Sequence, residues 1–129
     1  MKQEGLKFYR CNTCGNLFLT IIDPNITPTC CGSSMEILEA NKVHEGAEKH
    51  VPIIKINHDE VKVKVGIQPH PMSAEHRIEW IILTDGSSVN IQKLSLTSEP
   101  IAVFSGMKRD GKFRAYSFCN IHGLWTSEK

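Results

Sequence analysis

The 129-residue sequence has no long hydrophobic run. Its longest apolar stretches, such as Trp80 to Leu83, fall far short of the about 20 residues that a membrane-spanning helix needs. It has no excess of charge of either sign: fifteen Lys and Arg stand against fourteen Asp and Glu, a net charge of +1. That balance provides no general basis for holding nucleic acid or an anionic membrane, so any electrostatic steering has to be local. No stretch keeps a 3.6-residue apolar period, which argues against a helical architecture. The opening segment MKQEGLKFYRCNTCGNLFLT lacks an apolar stretch of signal-peptide length, and the expectation is a soluble, cytoplasmic protein.

What is present is unevenly placed. Residues 1–38 hold four cysteines and no histidine, whereas residues 39–129 hold all six histidines and a single cysteine. The segregation predicts two modules, 1–38 and 39–129, joined by the polar segment Glu39 to Gly46. Five cysteines in a reducing compartment point to metal ligands or reactive thiols, and an odd number cannot pair completely within one chain.

The second module reads as β. In Glu60-Val61-Lys62-Val63-Lys64-Val65 valine alternates with charge, the period of a strand with one buried and one wet face. Val51 to Ile56, Ile78 to Leu83, Val89 to Leu94, Ile101 to Ser105 and Phe113 to Phe118 are further short β-branched or aromatic segments. Asp85-Gly86 and Asp110-Gly111 offer turns between them. Six or seven such strands predict a two-sheet sandwich, because one open sheet of that size would leave an apolar face uncovered. The fold class is therefore mostly β, a small metal-binding module followed by a β-sandwich. A module of the first kind is too small for a core of its own and needs a staple.

Cys11-Asn12-Thr13-Cys14-Gly15 has the form of a metal knuckle: two thiolates three positions apart on a tight turn face one ion, and the glycine relieves crowding after the second. Cys30 and Cys31 complete a tetrahedral tetrathiolate set, which suits zinc or a single iron. Because the second pair is adjacent, the chain has to twist sharply for both sulfurs to reach one ion. The site can act as the staple or as an electron carrier.

In the second module His50, His70, His76, Cys119 and His122 lie at strand ends or in the loops between strands, and loops at one end of a sandwich converge. Four imidazoles and a thiolate exceed the tetrahedral set of a structural zinc and leave one position open on a six-coordinate metal, a count that iron(II) fits. A thiolate opposite the open position pushes electron density toward a small ligand there, as cysteine does in thiolate-ligated haem. Phe118, Ile121 and Trp125 are expected to keep the sulfur dry. Lys49 beside His50 would attract an anion, and Glu48 could cap the oxidised metal. His44 and His58 have no such context and read as solvated. A copper- or iron-based electron-transfer protein without turnover is the alternative; in its blue-copper form it predicts a methionine shortly after His122, and none follows. A zinc-stapled binding module is a third reading, disfavoured by the crowded histidine set.

Taken together and in order, CNTCG and CCG, EKHVP, HPMSAEH, IEWI and CNIHGLW resemble desulfoferrodoxin, the two-iron form of superoxide reductase, over essentially the whole chain. The resemblance implies a desulforedoxin-like module with iron in Cys11, Cys14, Cys30 and Cys31. It implies an immunoglobulin-like sandwich whose catalytic iron takes His50, His70, His76, His122 and axial Cys119. Lys49 and Glu48 fall on the lysine and glutamate of the family's EKH motif. Superoxide as substrate, a rubredoxin-like electron donor, a cytoplasmic location and a homodimer are implied in the same way.

Overall fold

In the computed structural model the described residues are 5–41, 46–68, 70–107 and 112–129, with Glu48 described by its backbone alone. The chain divides into two compact units, Met1–Glu39 and Ala40–Lys129. His44 and the Asp110-Gly111 turn, within the basic stretch 106–112, lie outside the described residues.

The first unit is a three-stranded antiparallel sheet of β1 (Lys7–Arg10), β2 (Leu17–Thr20) and β5 (Glu36–Leu38) in the order β2-β1-β5, with a short ladder of β3 (Thr29–Cys30) and β4 (Ser33–Ser34). Its core is Tyr9, Cys11 and Met35, against which Cys30 packs. Two of those four residues are cysteines of the expected metal set. With fully buried Phe8 this is still a small core, and a unit of this size gains much of its stability from a cross-link.

The second unit is a sandwich. One sheet has the order β10-β7-β6 and the other β12-β11-β8-β9. The strands are β6 (Pro52–Asn57), β7 (Glu60–Val65), β8 (Ile78–Thr84), β9 (Val89–Lys93), β10 (Ile101–Ser105), β11 (Arg114–Cys119) and β12 (Gly123–Glu128). In β7 the valines face inward and are buried, while Lys62 is exposed and Lys64 half-buried, as the alternation predicts. Val63, Val65, Ile78, Ile81 and Leu83 share one core with Phe104, Phe113 and Ala115. Full burial of each large aliphatic side chain stabilises the fold by about 1.5–3 kcal/mol. The central strand β11 is covered on both faces, which is why its RAYSFC pattern does not alternate.

Side chains close both seams between the sheets. Gln92 on β9 donates through Nε2 to the carbonyl of Val103 on β10, at 2.6 Å. At the other seam Ser127 donates to the carbonyl of Pro52, and Lys129 donates to that of Ile54 at 3.0 Å. These bonds satisfy edge carbonyls that the ladders leave unpaired.

Two elements differ from the sequence reading. β12 is a seventh strand that continues β11 through a tight turn, with Cys119 opposite Gly123. A single helical turn, α1 (Ala47–His50), precedes β6. The Asp85 turn forms as expected: one carboxylate oxygen accepts from the backbone N–H and the hydroxyl of both Ser87 and Ser88, at 2.8–3.1 Å. Among the described residues no helix is long and apolar enough to cross a membrane.

Antiparallel pairing gathers chain ends at one end of the sandwich. Pro52 pairs with Val65, and Cys119 pairs with both Ile78 and Gly123. The start of β6, the end of β7, the start of β8 and the β11–β12 turn therefore meet there.

Candidate metal centres

At that end of the sandwich His50, His70, His76, Cys119 and His122 converge, one donor atom of each lying within 4.8 Å of the others. The imidazoles form a four-membered ring. Neighbouring centroids are 4.7 Å (His50–His70), 4.6 Å (His70–His76), 5.0 Å (His76–His122) and 4.7 Å (His122–His50) apart. The His50–His76 diagonal is longer, 6.3 Å, and adjacent rings are steeply inclined at 65–80°. Cys119 at the end of β11 is wholly buried, and its Sγ lies 3.7 Å from Nδ1 of His122.

Second partners fix which nitrogen faces the centre. His50 donates from Nδ1 to the carbonyl of Gly46 at 2.8 Å, and His70 donates from Nδ1 to the carbonyl of Pro71 at 2.7 Å, leaving Nε2 of each with its lone pair inward. Nε2 of His70 and of His76 is buried with no hydrogen-bond partner. His122 turns the other way: its Nδ1 is 3.1 Å from Nε2 of His50. Cis nitrogens held by metal bonds of 2.0–2.1 Å sit about 3 Å apart. The His50–His122 pair stands at that spacing, and the orphaned Nε2 atoms of His70 and His76 in the same donor group, beside a buried thiol, are what a metal ion would satisfy.

Burial pushes His70 down to about 4, with the neighbouring histidines adding to the effect against the Pro71 hydrogen bond. His76 is lowered by burial first, and also by the nearby His122 and Lys49. Both imidazoles are thus held neutral, the form in which they ligate.

Each ligand has a local structural reason for its place. Gly46 takes φ +89°, the left-handed region that favours glycine, caps the start of α1, and would place a Cβ in tight contact, 3.3 Å, with Nδ1 of His50. Buried Ser117 on β11 donates to the His50 carbonyl at 2.9 Å. Gly66, at φ +84°, follows β7 and accepts no side chain, since a Cβ would lie 2.7 Å from the carbonyl carbon and oxygen of Lys49. His76 is held by Ser73, whose hydroxyl accepts from the His76 N–H and donates to its carbonyl, both at 3.1 Å. Trp125 stacks on His50 at 4.8 Å and 16°, and donates from Nε1 to the His122 carbonyl at 3.1 Å.

Phe118 and Trp125 are buried, Phe118 stacking on Trp80 and Trp125 on His50, whereas Ile121 is 58% exposed and provides little of the expected cover. His50 and His70 are buried, His76 is partly exposed and His122 is exposed, so solvent reaches the ring from one side. Lys49 is exposed on α1, next to His50. His58 is exposed in the β6–β7 turn and belongs to neither donor group. Gly66, Ser73 and Ser117 were not singled out by the sequence. Gly66 carried a weak signal, a glycine closing an alternating strand.

The first unit brings Cys11, Cys14, Cys30 and Cys31 together, again within 4.8 Å. Sγ of Cys14 lies 3.6 Å from that of Cys30, which lies 4.0 Å from that of Cys31. Tetrahedral sulfurs on bonds of 2.3 Å are about 3.8 Å apart. The twist demanded by the adjacent pair is visible as φ +52° at Cys31, followed by φ +75° at Gly32. Gly15 at φ +81° donates its N–H to the carbonyl of Cys11 at 2.8 Å, closing the knuckle. The backbone N–H of Cys14 pulls the Cys11 thiol down to about 6, while the sulfurs of Cys14, Cys11 and Cys30 push Cys31 up to about 12. Without a cation the four sulfurs cannot all be thiolates, so the set suits a metal that neutralises them.

The desulfoferrodoxin family pattern matches residues 42–128. A desulfoferrodoxin homolog from Archaeoglobus fulgidus is 41% identical over 124 residues, covering 96% of this chain and 98% of its own. The crystal structure of the superoxide reductase from Treponema pallidum superposes with a TM-score of 0.78 at 29% identity, over 95% of this chain and 97% of the other. The superoxide reductase (neelaredoxin) from A. fulgidus in its reduced form matches 67% of this chain and 93% of its own, with a TM-score of 0.53 and 35% identity.

Proposed function

The chain belongs to the desulfoferrodoxin family, and on that premise we propose that it is a superoxide reductase. The reaction joins one superoxide, one electron and two protons into hydrogen peroxide and releases no dioxygen. The observation that carries this reading is the convergence of four imidazoles with a wholly buried thiol, their donor atoms within 4.8 Å of one another.

Two groups of donors match the two iron sites of desulfoferrodoxin, one of Cys11, Cys14, Cys30 and Cys31 and one of His50, His70, His76, His122 and Cys119. Bound in the second group, iron would supply one-electron redox chemistry, and the Cys119 thiolate would raise its reducing power. The five residues would hold that metal, and their number is one short of a six-donor set. Lys49, exposed beside His50, draws in the anion and orients it through a charge-assisted hydrogen bond. Solvent reaches the site from the His76 and His122 side and brings the protons. Glu48 is assigned the cap on the oxidised centre that the family resemblance implies.

Residues 1–38 form the tetrathiolate module and 39–129 the reductase domain in this reading. A rubredoxin-like carrier returns the electron, and the protein works in the cytoplasm as a homodimer. Ile21, Ile22 and Ile26, 95%, 83% and 70% exposed on the first unit, support an apolar contact with a second copy.

Iron quantitation with optical spectra of oxidised and reduced protein tests the proposal. Two irons per chain, and a thiolate-to-iron charge-transfer band that Cys119→Ser removes, are expected. Zinc alone would end it.

A further inference from the structure

We propose that Asn120 is a positioning residue that locks the His76 loop to the Cys119–His122 turn, its carboxamide standing in for a peptide group beyond the end of a β-ladder. The inference rests on the metal-centre reading above and concerns how three of its five ligands are held.

The β8–β11 ladder runs regularly from Arg114 opposite Thr84 to Phe118 opposite Trp80. There the register shifts. Cys119 pairs with Ile78, so Glu79 is an extra residue on β8. Beyond this bulge β11 turns away at Asn120, and regular pairing has no further residue to offer. The Arg77 N–H and the Glu75 carbonyl would then lack a partner on β11.

Asn120 fills that gap with three hydrogen bonds. Its backbone N–H donates to the carbonyl of Arg77 at 3.1 Å. Its side-chain Oδ1 accepts from the Arg77 N–H at 2.8 Å. Its Nδ2 donates to the carbonyl of Glu75 at 3.0 Å. The carboxamide has one acceptor and one donor aimed in the two directions that a peptide unit would supply, and the opposite assignment of oxygen and nitrogen would set donor against donor.

The placement matters because of the neighbours. Asn120 follows Cys119 directly and precedes His122 by two residues, while Glu75 and Arg77 flank His76. One side chain thus spans three ligands from segments 43 and 45 positions apart. The far side of the same loop is closed by Ser73, and the Arg77 guanidinium donates to the Ala74 carbonyl at 2.6 Å and pairs with Glu79 at 2.9 Å. Those contacts stiffen the loop internally. Among the described side chains that the hydrogen bonds connect to it, Asn120 alone ties it to the turn bearing Cys119. Serine offers no donor and acceptor at that separation, and aspartate offers only the acceptor.

The test compares Asn120→Ala and Asn120→Asp with the unaltered full-length protein. In metal-free protein, amide exchange at Arg77 is read. In iron-loaded protein, the Cys119 charge-transfer band and the rate of iron release to a chelator are read, with the tetrathiolate absorption as internal reference. Asn120→Ala should speed Arg77 exchange, shift the charge-transfer band and hasten iron release by about tenfold or more, the usual consequence of losing a partner that orients ligands. The tetrathiolate absorption should not change. Asn120→Asp should keep Arg77 protected, yet release iron faster than the unaltered protein because the Glu75 contact is lost. If Asn120→Ala fails to fold, the aspartate variant decides on both readouts. Unchanged Arg77 exchange in Asn120→Ala, loss of Arg77 protection in Asn120→Asp, unchanged iron release in either, or exchange rising equally throughout the sandwich would overturn the clamp. Failure of the unaltered protein to take a second iron would instead remove the functional reading, and the exchange data from metal-free protein would still judge Asn120.

Discussion

Nδ1 of His122 and Nε2 of His50 lie 3.1 Å apart and address the same point through different ring nitrogens. The cause is tether length. His122 is three residues from Cys119 in the β11–β12 turn, so its imidazole reaches the centre with the nitrogen nearer its backbone, whereas His50 and His70 spend that nitrogen on the carbonyls of Gly46 and Pro71.

Lys49→Ala should slow capture of superoxide by about tenfold at low ionic strength and by less in salt, because one steering charge is lost and the remainder is screened. Both irons should stay bound. Pulse-generated superoxide decay at two salt concentrations measures this, and equal second-order rates would remove the steering role.

Gly66→Ala should cost about 1–3 kcal/mol of stability, since alanine at φ +84° is strained and its Cβ meets the Lys49 carbonyl. The same displacement should slow superoxide capture through Lys49 without removing Lys49 itself. Denaturant unfolding and the capture rate report the two effects; a stable variant with the native rate would show that the close approach is unimportant.

Trp125→Phe keeps an aromatic ring available to His50 but deletes the hydrogen bond to the His122 carbonyl, a loss of about 0.5–1.5 kcal/mol. The iron charge-transfer band should move while iron occupancy persists. Calorimetry and the visible spectrum check it, and an unshifted band would confine Trp125 to packing.

Cys30→Ser should abolish the tetrathiolate spectrum and leave the five-ligand iron loaded. With excess chemical reductant, superoxide reduction should continue. If turnover stops with that iron in place, the first site is an obligatory relay.

Much of this was legible in the order of residues. Alternation in Glu60 to Val65 predicts a half-buried strand, because the period of a strand is two and one face of a sandwich is dry. The nine metal-donor residues stand out since cysteine and histidine at knuckle spacing, or grouped beside strand ends, have few other uses. β12 was not legible: Gly123 opens it, and its polar end does not resemble a buried strand. The short strands of the first unit escaped for a related reason, as two to four residues cannot display a period.

The donor set, the mostly β character and the twist required at Cys30-Cys31 follow from residue type and spacing, which are local properties. The choice of ring nitrogen, the close approach of Gly66 to Lys49 and the reach of Asn120 to Arg77 follow from pairing between distant segments. Those relations depend on register, on a bulge at Glu79 and on which backbone groups the ladders leave unpaired. Hydrogen bonds to such groups come into being only when strands far apart in sequence are packed into one end of the sandwich.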